Sequence, residues 1–472
     1  MWGNKGMKTQ RQSVRQGIAL IMAMVFIVIF AAISIGFLSL SSANTQTANN
    51  HRIGNGAFCS AQSGYEIIRY LTSIPNPIQI HGIYGAEQPT ATMHEVYTNL
   101  QTRINDSGMT RIASCLEPYT GTGPISISNV PLSADGRKTF SIKLDKADPN
   151  ATTVYVLITG NDGQVSRRIR VNYNLAEHGH SVFDYGIATK GPLDMSGQST
   201  ITGVNLAVES DVFIDTSIVG DSFSIGSKAS VQGDVHIVNQ YATYSINGSV
   251  GGETGLEAKD HVIIGVDPVN FPIPNVQHFR QFATGPVINS TNYSQHSVLE
   301  NAVIAANTNP TFASDMVIKG ILFVEQPNSV KFAGKAQIQG IIAADSEPGV
   351  FSTSNKLMFS GQVTCQDVST LQGEQFANLR NETGTFLIAP GFHADFTGQA
   401  NVITGVIATA GVRFSGQAGG TINGSIINYA NVPVTLQGQG HLQFNRSGTT
   451  INPAGFTPVK TLSINQSSYS EV

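Results

Sequence analysis

Five side chains toward the C-terminal end carry the chemistry this chain could do: His393 with Asp395, Arg413, and Lys331 with Lys335. Asp, Arg and Lys clustered in one groove can cleave a polysaccharide. The spacing alone assembles no such groove. Acids are thinly spread here, and a His beside an Asp is ordinarily a solvated surface pair. No H-E-x-x-H, G-x-S-x-G or P-loop sequence occurs. Asn161-Asp162-Gly163 contains Ca²⁺-type ligands, but three such residues between two alternating runs read as a hairpin turn. The three cysteines, Cys59, Cys115 and Cys365, make no C-x-x-C and no metal spacing. Cys59 falls on a helical segment as a small packing residue. Cys115 and Cys365 could bridge in an oxidising compartment, although they are far apart and fall in different candidate domains. The expectation is a protein without catalysis, cofactor or metal.

Those charged residues belong to a repeating stretch. Six segments share a hydrophobic-x-hydrophobic pair, a small residue, a Gly and usually a Gln: LDMSGQ, VKFAGK, LMFSGQ, ADFTGQ, VRFSGQ and VTLQGQ. Their glycines are Gly197, Gly334, Gly361, Gly398, Gly416 and Gly438, and a second Gly follows at Gly203, Gly340, Gly405 and Gly424. A period of about 18–25 residues with short strands suits one coil of a β-solenoid. Gly then serves the corner, where a Cβ would clash or φ must be positive. Phe396 and Phe414, each two residues before a motif Gly, are expected in equivalent places in adjacent coils. A β-sandwich is the alternative, but it would not repeat one side chain at one offset from Gly. The long gap between Gly197 and Gly334 reads as missing, degenerate or interrupted coils. One interruption is the proline-rich DPVNFPIPNVQHFRQFA, which ends in a short helix.

Composition fits an extracellular, uncharged β surface. Charged residues are 12% of 472 and Gly numbers 48; the usual charged fraction is about 25%. A net charge of −4 provides no electrostatic case for nucleic acid. Upstream of the repeats, GPISISNV, KTFSIKL, TTVYVLITG and VSRRIRVNYNL are alternating, β-branched runs. They predict a small antiparallel sheet that needs a helix to bury one side.

The helix comes from the other end of the chain. Residues 18–40 are apolar except for Ser34, Gly36 and Ser39. At about 1.5 Å per residue they span about 34 Å, enough for a hydrocarbon core of about 30 Å. A cleaved secretory signal has an apolar region of only about 7–15 residues. Lys5, Lys8, Arg11 and Arg15 precede the run and Glu66 is the first acid. That asymmetry places the N-terminus in the cytoplasm and the bulk outside. Farther on, Ile53, Ala57, Ala61, Tyr65, Ile68 and Leu71 line one face at helical spacing. Gly54, Gly56 and Gly64 each cost about 1 kcal/mol against Ala and predict a weak or bent middle. Pro75 and Pro77 end the helix. An ordinary signal anchor with an inert stalk accounts for these features as well.

A Gly closes the basic leader at Gly17 and the apolar run begins at Ile18. This junction resembles the leader of type IV pilin-like proteins, and QGIALIMAMVFIVI with AFCSAQSGYEIIR is most similar to PilX-type minor pilins. The resemblance implies cleavage between Gly17 and Ile18 by a prepilin peptidase, with the apolar segment kept. Major pilins usually carry a Glu where this chain has Met22, and a buried carboxylate in lipid needs a partner. Its replacement implies a minor or tip subunit. The repeat region resembles the β-solenoid-like domain that accompanies such N-termini in some large bacterial surface proteins. The implied partners are other pilins and minor pilins through the helix, the peptidase, the inner membrane and a surface glycan.

The expected fold is thus mainly β with a long N-terminal helix. A leader (1–17), a membrane and amphipathic helix (18–73) and a small antiparallel α+β domain (74–175) precede a right-handed β-solenoid (176–472). Two functions stay open: a non-catalytic minor pilin for filament assembly or adhesion, or a surface-anchored β-helix enzyme or binding protein acting on polysaccharide. A carboxylate cluster on one solenoid face favours the second; a flat face rich in Gln, Asn and Thr favours the first.

Overall fold

The computed structural model describes residues 10–73, 77–81, 89–148, 151–291, 298–313, 315–399, 401–447 and 452–472. Lys5, Lys8 and Pro75 lie outside them. The chain divides into two compact units. One comprises Met1–Ile78, Met93–Leu175 and Leu462–Val472, the other Gln79–Thr92 and Ala176–Thr461. Sequence spacing instead put 74–175 in one domain and everything after 175 in the solenoid. The segment 79–92 and the last strand depart from that division, because sheet pairing acts across long sequence separations.

In the first unit one helix runs unbroken over Gln10–Ser73, so helical backbone continues upstream of Gly17. Residues 18–52 are exposed throughout. Beyond them Ala57, Ala61, Ile68 and Leu71 are fully buried. They pack on a sheet ordered Ile125–Pro131, Lys138–Lys146, Thr153–Asp162, Val165–His178 and Val459–Glu471. The first four strands are joined antiparallel, with Asp162 pairing Val165 across the Gly163 turn. The helix glycines do not break the helix; they let it approach. A Cβ on Gly64 would lie 2.7 Å from Ile158 Cγ2 and 2.9 Å from Phe140 Cδ2. Opposite, a Cβ on Gly160 would overlap the helix backbone at Ala57 and Ala61. The propensity cost of Gly is offset by this close packing.

The second unit is a β-solenoid with three ladders of parallel strands. The first ladder stacks Thr243–Ile246, Asp221–Ile225, Leu193–Met195, Val434–Leu436, Val412–Phe414, His393–Phe396, Lys356–Phe359, Ser329–Phe332 and Thr311–Phe312. The second includes Ser230–Val231, Thr200–Gly203, His441–Phe444, Gly420–Asn423 and Val402–Thr404. The third begins Val262–Ile264, Val235–Ile237, Val212–Ile214, Ile187–Thr189 and Ile426–Asn428. Parallel pairing in all three excludes the sandwich, whose neighbouring strands are antiparallel.

The coils are not stacked in chain order. The chain enters in the middle of the stack, winds outward to Ile264, crosses back through 265–286, and winds from the opposite end toward the start. Its last coil closes on its first: Ile426 pairs Ile187, Val434 pairs Leu193 and His441 pairs Thr200. Of the three readings of the gap after Gly197, missing coils are excluded, because coils continue through Asp221–Ile225 and Val235–Ile237, and the interruption is present as the 265–286 return. The returning segment contains a 3₁₀ helix, Val276–Phe282. Its Val276 and Phe279 join a second apolar cluster with Ala188, Phe213, Phe323 and Ile388, which lie on third-ladder strands. The third face is therefore covered.

Inside the stack, Phe312, Phe332, Phe359, Phe396 and Phe414 form a column. Successive ring centroids are 5.1, 5.1, 4.8 and 4.9 Å apart, with interplanar angles of 7–15°. Leu436, Met195 and Ile225 continue it in register. Each fully buried ring contributes about 1.5–3 kcal/mol by burial alone, with up to about 1.5 more per aromatic pair.

Candidate functional site

Two surfaces hold the residues singled out from sequence. The first is the helix. Ile18 and Met22 are exposed, as is every other residue of the 18–40 run. Among the described residues none buries this run, an apolar surface long enough to cross a bilayer. Such a surface calls for lipid or for other apolar helices.

The second is the outer side of the first ladder. Alternation in a strand sends the middle residue of each motif outward while its neighbours face the core. Parallel register then aligns those middle residues: Lys331 pairs Met358, Met358 pairs Asp395 and Asp395 pairs Arg413. In the adjoining row Lys356 pairs His393. Lys335 follows Gly334 on the corner between ladders.

Asp395, only 7% exposed, accepts hydrogen bonds from His393 Nε2 (3.1 Å), Arg413 Nε (2.8 Å) and Arg413 Nη2 (3.2 Å). Burial pushes this carboxyl up, but the His393 hydrogen bond and the Arg413 charge outweigh it and hold it below the usual carboxylate range. A saturated carboxylate with a lowered pKa is a poor general acid or base near neutral pH. The next acid along the row is Asp194, which accepts from Ser224 Oγ at 2.8 Å. It lies three strands away, about 14 Å at the inter-strand spacing. Paired glycosidase carboxylates stand about 5–9.5 Å apart. Among the described residues no His, Cys, Asp and Glu group could hold a metal.

Gly197, Gly398, Gly416 and Gly438 stand at the corner between the first and second ladders, while Gly334 and Gly361 turn the chain from the first ladder into Ala336–Ala344 and its neighbour Val363–Gln366. A Cβ on Gly361 would overlap the Gly334 carbonyl, one on Gly398 the Gly361 carbonyl, and one on Gly197 the Gly438 carbonyl. Gly197, Gly416 and Gly438 have φ of +74°, +72° and +87°. The cysteines are free thiols. Cys59 is exposed, not a packing residue, because its position points away from the Ala57–Ala61 face. Cys365 is buried, and burial pushes its thiol far up, which makes it inert.

Sequence reasoning missed three residues. Lys356 precedes its motif by the same offset as His393, so aligning the copies would have found it. Phe351 approaches His393 edge-on, with ring centroids 6.4 Å apart, from a loop whose path no local pattern gives. Glu209 is buried and accepts from Asn205 N (2.7 Å), Leu206 N (3.2 Å) and Arg446 N (3.1 Å); the first two are local helix-start bonds that the sequence could have suggested, but Arg446 is too far along the chain to be paired by inspection.

No family model and no curated protein matches the chain. Among solved structures, the competence-associated pilin ComZ from Thermus thermophilus is similar at 11% identity and a TM-score of 0.28, over 89% of this chain and 97% of that one. The DUF3494 domain of ice-binding protein 1 from Shewanella frigidimarina aligns at 12% identity and a TM-score of 0.16, over 56% of this chain and 94% of that one. Alignments at these TM-scores establish neither a shared fold nor a function.

Proposed function

We propose that the protein is a non-catalytic minor subunit of a type IV pilus-like filament, held as a single-pass protein in the bacterial inner membrane with its N-terminus in the cytoplasm. Prepilin peptidase cuts between Gly17 and Ile18, and residues 18–40 then pack among the helices of other pilins. The solenoid is a head carried outside. One observation supports this reading above the others: a single helix is bare and apolar over 18–40, yet packs through Ala57, Ala61 and Gly64 onto its own antiparallel sheet. That is one helix with a membrane or filament half and a folded half. Met22 in place of a carboxylate favours a tip position over the repeating shaft, since no buried charge is there to be matched by each next subunit. The enzyme alternative loses ground because Asp395 is spent on His393 and Arg413.

The test is sequencing of the native protein from membranes and from sheared filaments. The expected N-terminus is Ile18, and the protein is expected in filaments at far below the amount of the major pilin. An intact Met1, a cut near residue 40, or a near-equal ratio to the major pilin overturns the reading.

A further inference from the structure

The outer side of the first ladder is electrically lopsided. On the strands Ser329–Phe332, Lys356–Phe359, His393–Phe396 and Val412–Phe414 the outward charges are Lys331, Lys356 and Arg413 against Asp395 alone. Asp395 is already bound by Arg413, so it withdraws one cation's worth of charge and no more. At the other end of the same ladder, Leu193–Met195 and Asp221–Ile225 bring Asp194 and Asp221 and no cation. This cationic half stands on a chain of net charge −4, so it is a local feature and not a product of overall charge.

Its geometry is regular. Lys331 and Arg413 belong to one row three strands apart, about 14 Å, and Lys356 lies between them in the next row. Arg413 keeps 45% of its side chain exposed while its fork is fixed by Asp395; a pre-set guanidinium loses little entropy when it takes another acceptor. Phe351, 40% exposed, flanks the cations through its edge contact with His393. An aromatic face beside cations suits the C–H face of a sugar ring next to its carboxylate. The inter-strand step of about 4.8 Å is close to the rise of one pyranose ring in an extended glycan.

We infer that this half of the face binds an extended, carboxylate-bearing polysaccharide lying along the stacking axis, with uronate groups on Lys331, Lys356 and Arg413 and a ring against Phe351. The inference rests on the reading of the solenoid as the exported head and names what that head holds. Three cations on a net-negative protein are too few for the many phosphate contacts that nucleic acid binding uses.

The test uses the full chain in neutral detergent micelles and measures affinity for oligogalacturonate, with neutral galactan oligomers as the comparison. Oligogalacturonate is expected to bind and to weaken with added salt, and galactan is not. Replacing Lys331→Glu together with Lys356→Glu is expected to weaken binding by about tenfold or more at low salt. Lys138→Glu with Lys143→Glu, an equal charge change on exposed residues of the antiparallel unit, is expected to leave it unchanged. Absent binding, an equal loss in both double variants, or equal affinity for duplex DNA or phosphatidylglycerol vesicles overturns the inference. The N-terminus and the filament content are separate readouts, so a failure here is distinguishable from a failure of the pilin reading.

Discussion

Gly197 and Gly438, far apart in the chain, are stacked neighbours: the N–H of Gln198 donates to the Gly438 carbonyl at 2.6 Å, and a Cβ on Gly197 would overlap that same oxygen. They mark the plane where the two runs of the solenoid meet. Gly438 (φ +87°) and Gly416 (φ +72°) both hold a left-handed backbone; a Cβ on Gly438 would also overlap the Gly416 carbonyl, whereas at Gly416 the nearest atom would be Thr397 O at 3.5 Å, so there the backbone conformation alone opposes a side chain. Gly416→Val is expected to destabilise the full chain by several times the effect of its exposed neighbour Gln417→Ala, which should stay within about 0.5 kcal/mol. Chemical denaturation of the solenoid unit checks both.

The aromatic column makes a second expectation. Phe414 is fully buried and stacks on Phe396 at 4.9 Å. Phe414→Ala should cost about 3–5 kcal/mol. A loss below about 1 kcal/mol in equilibrium unfolding would mean the column is not a main support of the stack.

Glu209 fastens the seam by accepting N–H bonds from Asn205 and Leu206 after the first coil and from Arg446 after the last. Burial raises its pKa, but those hydrogen bonds outweigh it and bring it to about 2 from a usual 4.5. A depressed folded-state pKa means the stabilisation is fully present above pH about 4.5 and is lost as pH falls toward 2. Glu209→Gln should therefore destabilise the protein at pH 7, by about 1.5–3 kcal/mol for lost charged hydrogen bonds. The wild-type and variant melting curves should converge as pH is lowered through that window; a constant gap would contradict the assignment.

Two glycines of the long helix should respond with opposite sign. Nothing nearer than Arg167 Nη2, at 3.8 Å, would meet a Cβ on Gly54, so Gly54→Ala should stabilise by up to about 1 kcal/mol. Gly64→Ala would press on Ile158 and Phe140 and should cost about 1–3 kcal/mol. Thermal melting of the two variants in one detergent decides it; two stabilised variants would show that the helix does not lie close on the sheet.

Processing offers a final expectation. If the peptidase reads the Gly17–Ile18 junction, Gly17→Val should leave the leader attached and the protein in membranes, absent from filaments. Intact-mass measurement of both fractions reads this directly.

Much of this was legible without coordinates, for a local reason. Side-chain alternation and a Gly at a fixed offset state which residues of VRFSGQ face the core, because both depend only on near neighbours along the strand. The bare 18–40 run follows from its apolar length, and the buried Ala57–Leu71 face from helical period. The order of the coils was not legible. Every coil ends in the same kind of parallel edge, so Gly197 can stack on any motif Gly, and the 265–286 return decides which one. The juxtaposition of His393, Asp395 and Arg413 with Lys356 and Phe351 was hidden for the same reason: it is made between coils and by a loop. The repeating unit, the membrane-length helix and the strand pattern can each be read along the chain. That the stack begins in its middle and that its cations share one end of a face came from the fold, because pairing between distant strands carries no local signature.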